Sequence, residues 1–237
     1  MALDPRTHVV TPAGARAGEI DEGLRSYMLR VYNYMAGGLA VTGAVAYATA
    51  NTPAILNFVF GNPIIYYTVL FAPLGIIFFG FRAVKSAAGT QILYWIFSVL
   101  LGLSLASVFL MYTGSSIARV FMITTGMFAG MSLYGYTTKR DLTGIGNFLI
   151  MGLIGLIVAM IVNMFLQSAA MDWALSVIGV LIFTGLTAYD TQRIRQSYNE
   201  ADGSDVATRK AVFGAVHLYL DFLNLFLFLL HLFGGRD

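Results

Sequence analysis

The chain has 237 residues, of which 58% are hydrophobic and only 11% are charged, and its mean hydropathy is +0.75. Soluble domains carry roughly 25% charged residues, so this composition excludes an ordinary soluble fold and indicates an integral membrane protein. The net charge of +2 is too small to indicate a nucleic-acid partner, and the absence of cysteine excludes disulfides and thiolate metal sites.

The first 28 residues are polar, and we expect them to form a cytoplasmic tail ahead of a transmembrane domain at residues 29–237. That domain contains seven apolar runs, each near the roughly 20 residues that a helix needs to cross a bilayer. Because the runs lack the alternation of barrel strands, and lipid cannot satisfy exposed backbone, we predict an all-α bundle of seven transmembrane helices. The predicted spans cover residues 29–50, 64–81, 91–112, 116–136, 145–167, 173–194 and 211–233.

The basic residues predict the orientation of these spans. With a cytoplasmic N-terminus, only Arg119 and Arg236 lie near the outer face. The other basic residues fall on the inner side, as the positive-inside rule requires. They are Arg6, Arg16, Arg25, Arg30, Arg82, Lys85, Lys139, Arg140, Arg193, Arg195, Arg209 and Lys210.

Glycine is frequent inside the spans and predicts close helix packing. Gly126 and Gly130 of the fourth span have the GxxxG spacing that lets two helix backbones approach closely. We therefore expect a neighbouring helix to pack on these two residues.

Two aspartates lie inside apolar spans, where an unpaired carboxylate is costly and therefore points to function. Asp190 lies in the sixth span, about 25 Å along the helix from the outer face. Asp221 lies in the seventh span, about 15 Å from the inner face. Since consecutive spans run antiparallel, both residues fall in the inner half of the membrane, and their carboxyl groups can come within hydrogen-bonding distance.

Two adjacent carboxylates in a membrane cannot both ionise at low cost, so we expect them to share a proton and to titrate as one unit. Loss of that proton would place two like charges together, and a nearby cation or a divalent ion would relieve the repulsion. Such a pair is a pH sensor, a cation-binding step in a pore, or both.

The residues around the pair have simpler interpretations as well. An ion pair between Asp190 and Arg193, three residues later, would satisfy Asp190 without any function. His217, one turn before Asp221, could tune it, but we expect a backbone carbonyl to satisfy this histidine. The other polar neighbours could bind the pair or line a path, although hydrogen bonding between helices is the favoured interpretation. They are Thr187, Tyr189, Gln192, Tyr219 and Asn224.

Four segments carry a family resemblance. They are VYNYMAGGLAVTG (31–43), SLYGYTTKRDLT (132–143), FTGLTAYDTQRIR (183–195) and LYLDFLNLFLFLL (218–230). In this order and spacing the chain, from about residue 19 onward, resembles the bacterial branch of the Bax inhibitor-1 family, also called the transmembrane Bax inhibitor motif family. The AYDTQ and LYLDFLNLF pair is its most specific part.

The resemblance implies a seven-helix protein of the bacterial inner membrane with a central seventh helix, acting as a pH-sensitive calcium leak without a cofactor. It implies that Asp190 and Asp221 form the proton-sensing gate and bind calcium transiently during transport. It also implies a basic latch that pairs with the carboxylates when the pore is closed. Arg82, just after the second span, matches the latch best, and Lys85 is the second choice.

Two other functions remain open. Some bacterial relatives are associated with restraining a membrane-bound protease, so the bundle and its polar tail could form a partner surface. A carboxylate pair would also serve a proton-coupled cation exchanger. The sequence contains no HExxH, GxSxG or P-loop motif and no Cys/His cluster, so we do not predict an enzyme.

Overall fold

Helices account for nearly all of the chain in the computed structural model, which describes residues 12–235, with side chains from residue 22 onward. The all-α prediction is confirmed. In chain order the elements are α1 (Pro12–Asn51), α2 (Pro53–Phe60), α3 (Pro63–Gly75), a π-helical segment (Ile76–Gly80), α4 (Phe81–Ala83), α5 (Ala87–Met111), α6 (Gly114–Thr137), α7 (Thr143–Leu166), α8 (Ala169–Gln196) and α9 (Ser204–Phe233).

Six stretches are each long and apolar enough to cross a membrane: Pro63–Ala83, α5, α6, α7, α8 and α9. Residues Glu22–Asn51 of α1 meet this condition only together with α2, and a bend of 99° separates the two. The described residues thus provide six spans, or seven if α1 and α2 form one. α1 begins at Pro12, inside the predicted tail, whose residues 1–11 lie outside the described part. The cytoplasmic placement of that tail stays a prediction.

Prolines set the boundaries of the first elements. Pro53 keeps the preceding Thr52 extended, with φ −117° and ψ 100°, and this ends α1. Pro63 starts α3, whose first turn is capped by the Asn62 side chain accepting from the Ile64 N–H at 2.9 Å. Pro73 lies inside α3, and the helix widens into the π-helical segment three residues later. Such a widening is a common response to an interrupted hydrogen-bond ladder.

The last helix, α9, lies at the centre of the bundle. It packs against α1, α5, α6 and α8. In its most apolar stretch of 18 residues, 61% is buried inside the bundle, compared with 11–33% for the same stretch of the other five spans that qualify by themselves. The central position that the resemblance implied for the last helix is therefore confirmed.

Close packing of α6 does not occur at Gly126 and Gly130, so that prediction is wrong. A Cβ at either position would have no neighbour within 4 Å, whereas a Cβ at Gly135 would lie 2.2 Å from the Ala188 carbonyl oxygen of α8. The buried face of α6 comprises Ser116, Val120, Thr124, Phe128, Ser132 and Gly135. The GxxxG pair lies beside this face and is exposed.

We expect Gly135→Ala to lower the free energy of unfolding by about 1–3 kcal/mol, because the added methyl group overlaps the α8 backbone and forces α6 and α8 apart. Gly130→Ala, on the same helix, is the matched control and should melt at or slightly above the wild-type temperature. Thermal melting in detergent measures both variants. Equal melting temperatures for the two would contradict the close α6–α8 contact.

Candidate functional site

Asp190 of α8 and Asp221 of α9 lie together where these helices pack, and both side chains line the same cavity. Two ionised carboxylates in this arrangement would repel each other, so the geometry suits the shared proton that the sequence predicts. The depth of each residue along its helix predicted that they could meet, and the packing of α8 on α9 brings them into contact. Their role as a pH sensor stays a prediction.

The two carboxyl groups have different surroundings. Asp221 is only 4% exposed, and no N–H or hydroxyl group of the described residues donates to its buried Oδ2. Asp190 is partly exposed, and the basic side chains of His217 and Arg193 lie near its carboxyl group. Because an ionised carboxylate is costly without donors or cations, the two carboxyl groups are not equivalent, and the basic neighbours lie beside Asp190 only.

His217 is the closest basic group to the pair. Its Nδ1 lies 3.7 Å from Oδ2 of Asp190, and about half of its side chain is exposed. The expected hydrogen bond from this histidine to a backbone carbonyl is not formed among the described residues, and the acidic group beside its ring is the Asp190 carboxyl group on the neighbouring helix. Arg193 lines the same cavity but is exposed and forms no ion pair within the described residues, so the proposed Asp190–Arg193 pair is not formed.

Asp190 and Asp221 line a cavity of about 460 Å³ between α7, α8 and α9. The polar part of its wall comes from α8 and α9. α7 contributes the apolar wall, formed by Ile150, Leu153, Leu156, Ile157 and Met160. One side of the cavity is therefore apolar, and the opposite side presents the carboxyl pair and its basic neighbours.

The predicted pair neighbours divide into two groups. Asn224 lines the cavity one turn beyond Asp221, and its Nδ2 donates to the Leu220 carbonyl at 2.8 Å. Thr187 and Tyr189 lie elsewhere. The Thr187 hydroxyl donates to the Phe183 carbonyl at 2.7 Å, and the Tyr189 ring packs against Gly146 of α7. These two residues hold helices together, which is the interpretation that the sequence favoured.

Tyr219 and Gln192 also bind away from the pair. The Tyr219 hydroxyl hydrogen-bonds Thr42 of α1 at 2.6 Å. Gln192 is buried and holds the connection between α6 and α7. Its Oε1 accepts from the Leu142 N–H at 2.9 Å, and its Nε2 donates to the Arg140 carbonyl at 2.8 Å.

Arg82 does not reach the carboxyl pair in this structure. The preceding residue, Phe81, is buried and packs on Phe97 and Phe213, with ring centroids 6.5 and 5.4 Å away. Arg82 and Lys85 are both exposed, and neither forms an ion pair within the described residues. A latch would require this end of α4 to move toward α8, so the latch role of Arg82 stays a prediction.

A chain of hydroxyl groups that the sequence analysis did not identify reaches α8 one residue after Asp190. The hydroxyl groups of Tyr32 and Ser132 hydrogen-bond at 2.6 Å, and those of Ser132 and Thr191 at 3.0 Å. This chain joins α1, α6 and α8 and fixes the turn of α8 that carries Asp190. The sequence signal was present, since all three residues are polar within apolar runs, but it does not show which helices meet.

Among residues 22–235, whose side chains the structure describes, no group of three or more His, Asp or Glu side chains is placed to hold a metal ion. The predicted transient calcium ligands, Asp190 and Asp221, therefore form a pair of carboxyl groups without a third acidic or histidine ligand among the described side chains. Calcium takes 6–8 oxygen ligands, so at this pair water or other oxygen groups would have to complete its shell. Such a site suits an ion in passage better than a tightly held ion.

Comparisons with known proteins extend over almost the whole chain. A family model described as "Inhibitor of apoptosis-promoting Bax1" matches residues 24–237. A Caulobacter vibrioides protein described as uncharacterized is 48% identical over 238 residues, covering 95% of this chain and 94% of that protein. The inner membrane protein YbhL of Escherichia coli is 45% identical over 218 residues, covering 90% and 93%. A membrane protein of Streptococcus pyogenes is 33% identical over 220 residues, covering 92% and 96%.

We expect Gln192→Ala to lower the free energy of unfolding by about 1–3 kcal/mol, because the buried Leu142 N–H loses its acceptor. Gln196→Ala, one turn later on α8 and exposed, is the matched control. Thermal melting in detergent and hydrogen exchange at the Leu142 amide measure the effect. Unchanged melting together with unchanged exchange would contradict a role for Gln192 in holding this connection.

Proposed function

The chain belongs to the Bax inhibitor-1 family and is a multi-pass protein of the inner membrane; on that premise we propose that it is a pH-sensitive calcium leak, gated by the proton that Asp190 and Asp221 share. The observation that supports this most directly is that the two carboxyl groups line one cavity among membrane-spanning helices. Carboxyl groups in such a place are costly to maintain, and they mark ion and proton pathways in membrane proteins.

The proposed gate works by competition for the same oxygen atoms. With the shared proton in place, the pair is hydrogen-bonded and carries one negative charge. When the proton leaves, two like charges stand in contact, and a divalent cation is then the species that best neutralises them. Carboxylate oxygens are ligands that calcium prefers, so proton loss and calcium entry favour each other.

The charged groups around the cavity set the conditions of this competition. His217 on α9 faces Asp190, Arg193 on α8 lines the same cavity, and the α7 wall is apolar. Both basic side chains lie on the Asp190 side of the pair, so a cation that reaches the carboxyl groups also meets these two side chains.

A proton-coupled cation exchanger is the second candidate function, because release of a proton on cation binding is also the first step of exchange. The two functions differ in what crosses the membrane. A leak passes calcium without a fixed number of protons, whereas an exchanger moves protons in the opposite direction with each cation. Restraint of a membrane-bound protease stays a prediction from the resemblance.

We expect the full chain in calcium-free liposomes to admit calcium at a rate that changes between about pH 5 and 8, as the shared proton is lost or gained. Asp190→Asn and Asp221→Asn should each abolish that pH dependence. An amide can hydrogen-bond the remaining carboxylate but cannot release a proton in this range. An entrapped fluorescent calcium indicator measures entry, and an entrapped pH indicator distinguishes exchange from leak.

Asp205→Asn is the matched control, because Asp205 lies exposed in the first turn of α9 and away from the pair. This variant should keep the wild-type pH profile. Absence of calcium entry at every pH would overturn the proposed leak. A wild-type profile in both Asp190→Asn and Asp221→Asn would overturn the role of the pair.

A further inference from the structure

A second cavity, of about 580 Å³, lies next to the cavity that holds the carboxyl pair. It lies between the last part of α7, the first part of α8 and the last part of α9. Its wall is also partly polar. The polar lining residues are Asn163, Gln167, Asp172, Ser176, Asn224 and His231.

One face of α9 passes along both cavities. Residues His217, Asp221, Asn224, Phe228 and His231 follow one another at alternating spacings of four and three, which places them on the same side of the helix. Four of these five side chains are polar, although the helix around them is strongly apolar. Phe228 is the one apolar member of this face.

Phe228 lies where the two cavities meet. Three residues line both cavities: Met160, Asn224 and Phe228. The carboxyl pair and His217 line only the first cavity, whereas Asp172 and His231 line only the second. The apolar side chains of Phe228 and Met160, with Asn224 beside them, therefore lie between two partly polar spaces.

The Phe228 ring is held by α8. It stacks on Phe183, with ring centroids 5.9 Å apart and planes inclined by 28°. It also fills the space left by Gly179, where a Cβ would lie only 2.6 Å from the ring. Two positions on α8, one aromatic and one without a side chain, thus fix the ring between the cavities.

We propose that Phe228, stacked on Phe183, is the hydrophobic gate of an ion path that joins the Asp172–His231 cavity to the Asp190–Asp221 pair. An apolar constriction between two hydrated spaces excludes water, and a hydrated cation cannot cross it until the ring moves. This inference rests on the proposed leak and adds its route and a second barrier. The carboxyl pair determines when a cation is accepted, and the ring determines whether it can arrive.

Calcium entry into liposomes tests the gate. We expect Phe228→Ala to raise entry about tenfold at the pH where the wild type leaks fastest, because the carboxyl pair then admits cations and removing the ring lets water join the two cavities. Phe228→Leu keeps an apolar side chain and should give a smaller increase. The matched control is Phe226→Ala, because Phe226 lies on the same helix but lines a different, apolar cavity and packs near Phe121.

A second measurement uses the absence of cysteine in the chain. A membrane-impermeant thiol reagent, added on the side where His231 lies, should label His231→Cys, which lines the second cavity. It should label Leu220→Cys, in the first cavity, only when Phe228→Ala is also present. This measurement reports whether water connects the two cavities, and it does not depend on calcium transport.

The outcomes separate the two proposals. If the wild type and all variants admit no calcium, the leak and the gate both fail. If the wild type shows pH-dependent entry but Phe228→Ala and Phe228→Leu, folded by gel filtration, do not raise it, only the gate fails. Equal labelling of Leu220→Cys with and without Phe228→Ala would also overturn the gate and leave the leak standing.

Discussion

The contact between the Asp190 and Asp221 carboxyl groups is the constraint on which the rest of this structure depends. Carboxyl groups inside a membrane domain are costly unless they are paired, protonated or hydrated, and a pair requires α8 and α9 to hold a fixed register. Asp221 has no donor among the described N–H and hydroxyl groups for its buried Oδ2, and Asp190 of the neighbouring helix lines the same cavity beside it. The packing around α8 serves this register.

Small residues and short polar contacts fix α8 from three directions. Gly135 of α6 lies against the Ala188 backbone, and Gly146 of α7 receives the Tyr189 ring. The Ser132 hydroxyl binds Thr191, and Gln192 binds the connection between α6 and α7. All of these α8 positions lie within two residues of Asp190. The side chains nearest the aspartate therefore hold it in place from neighbouring helices, whereas α9 supplies its chemical partners.

The two cavities along α9 place the carboxyl pair beside the proposed route for ions. A carboxyl pair in a closed space could only store a proton, but this pair lines a cavity that adjoins a second polar space. If Phe228 controls the passage between them, protonation and side-chain motion are separate barriers in series. A leak built in this way would remain slow even when one barrier is lowered, which suits a protein that must not discharge the ion gradient of the inner membrane.

The sequence by itself determined the all-α class, most of the spans and the family, and it predicts the depth of each aspartate, because apolar length and a rise of 1.5 Å per residue depend only on order along the chain. It did not determine which faces of the helices meet. The contact of α6 is at Gly135 and not at Gly130, His217 lies beside Asp190, and Arg82 is exposed because Phe81 takes the buried position. Phe228 resembled any other apolar residue of its span. Only the tertiary structure decided these points, because rotation of a helix about its axis is set by the helices packed around it, and a membrane that is apolar on all sides provides no solvent face to indicate it.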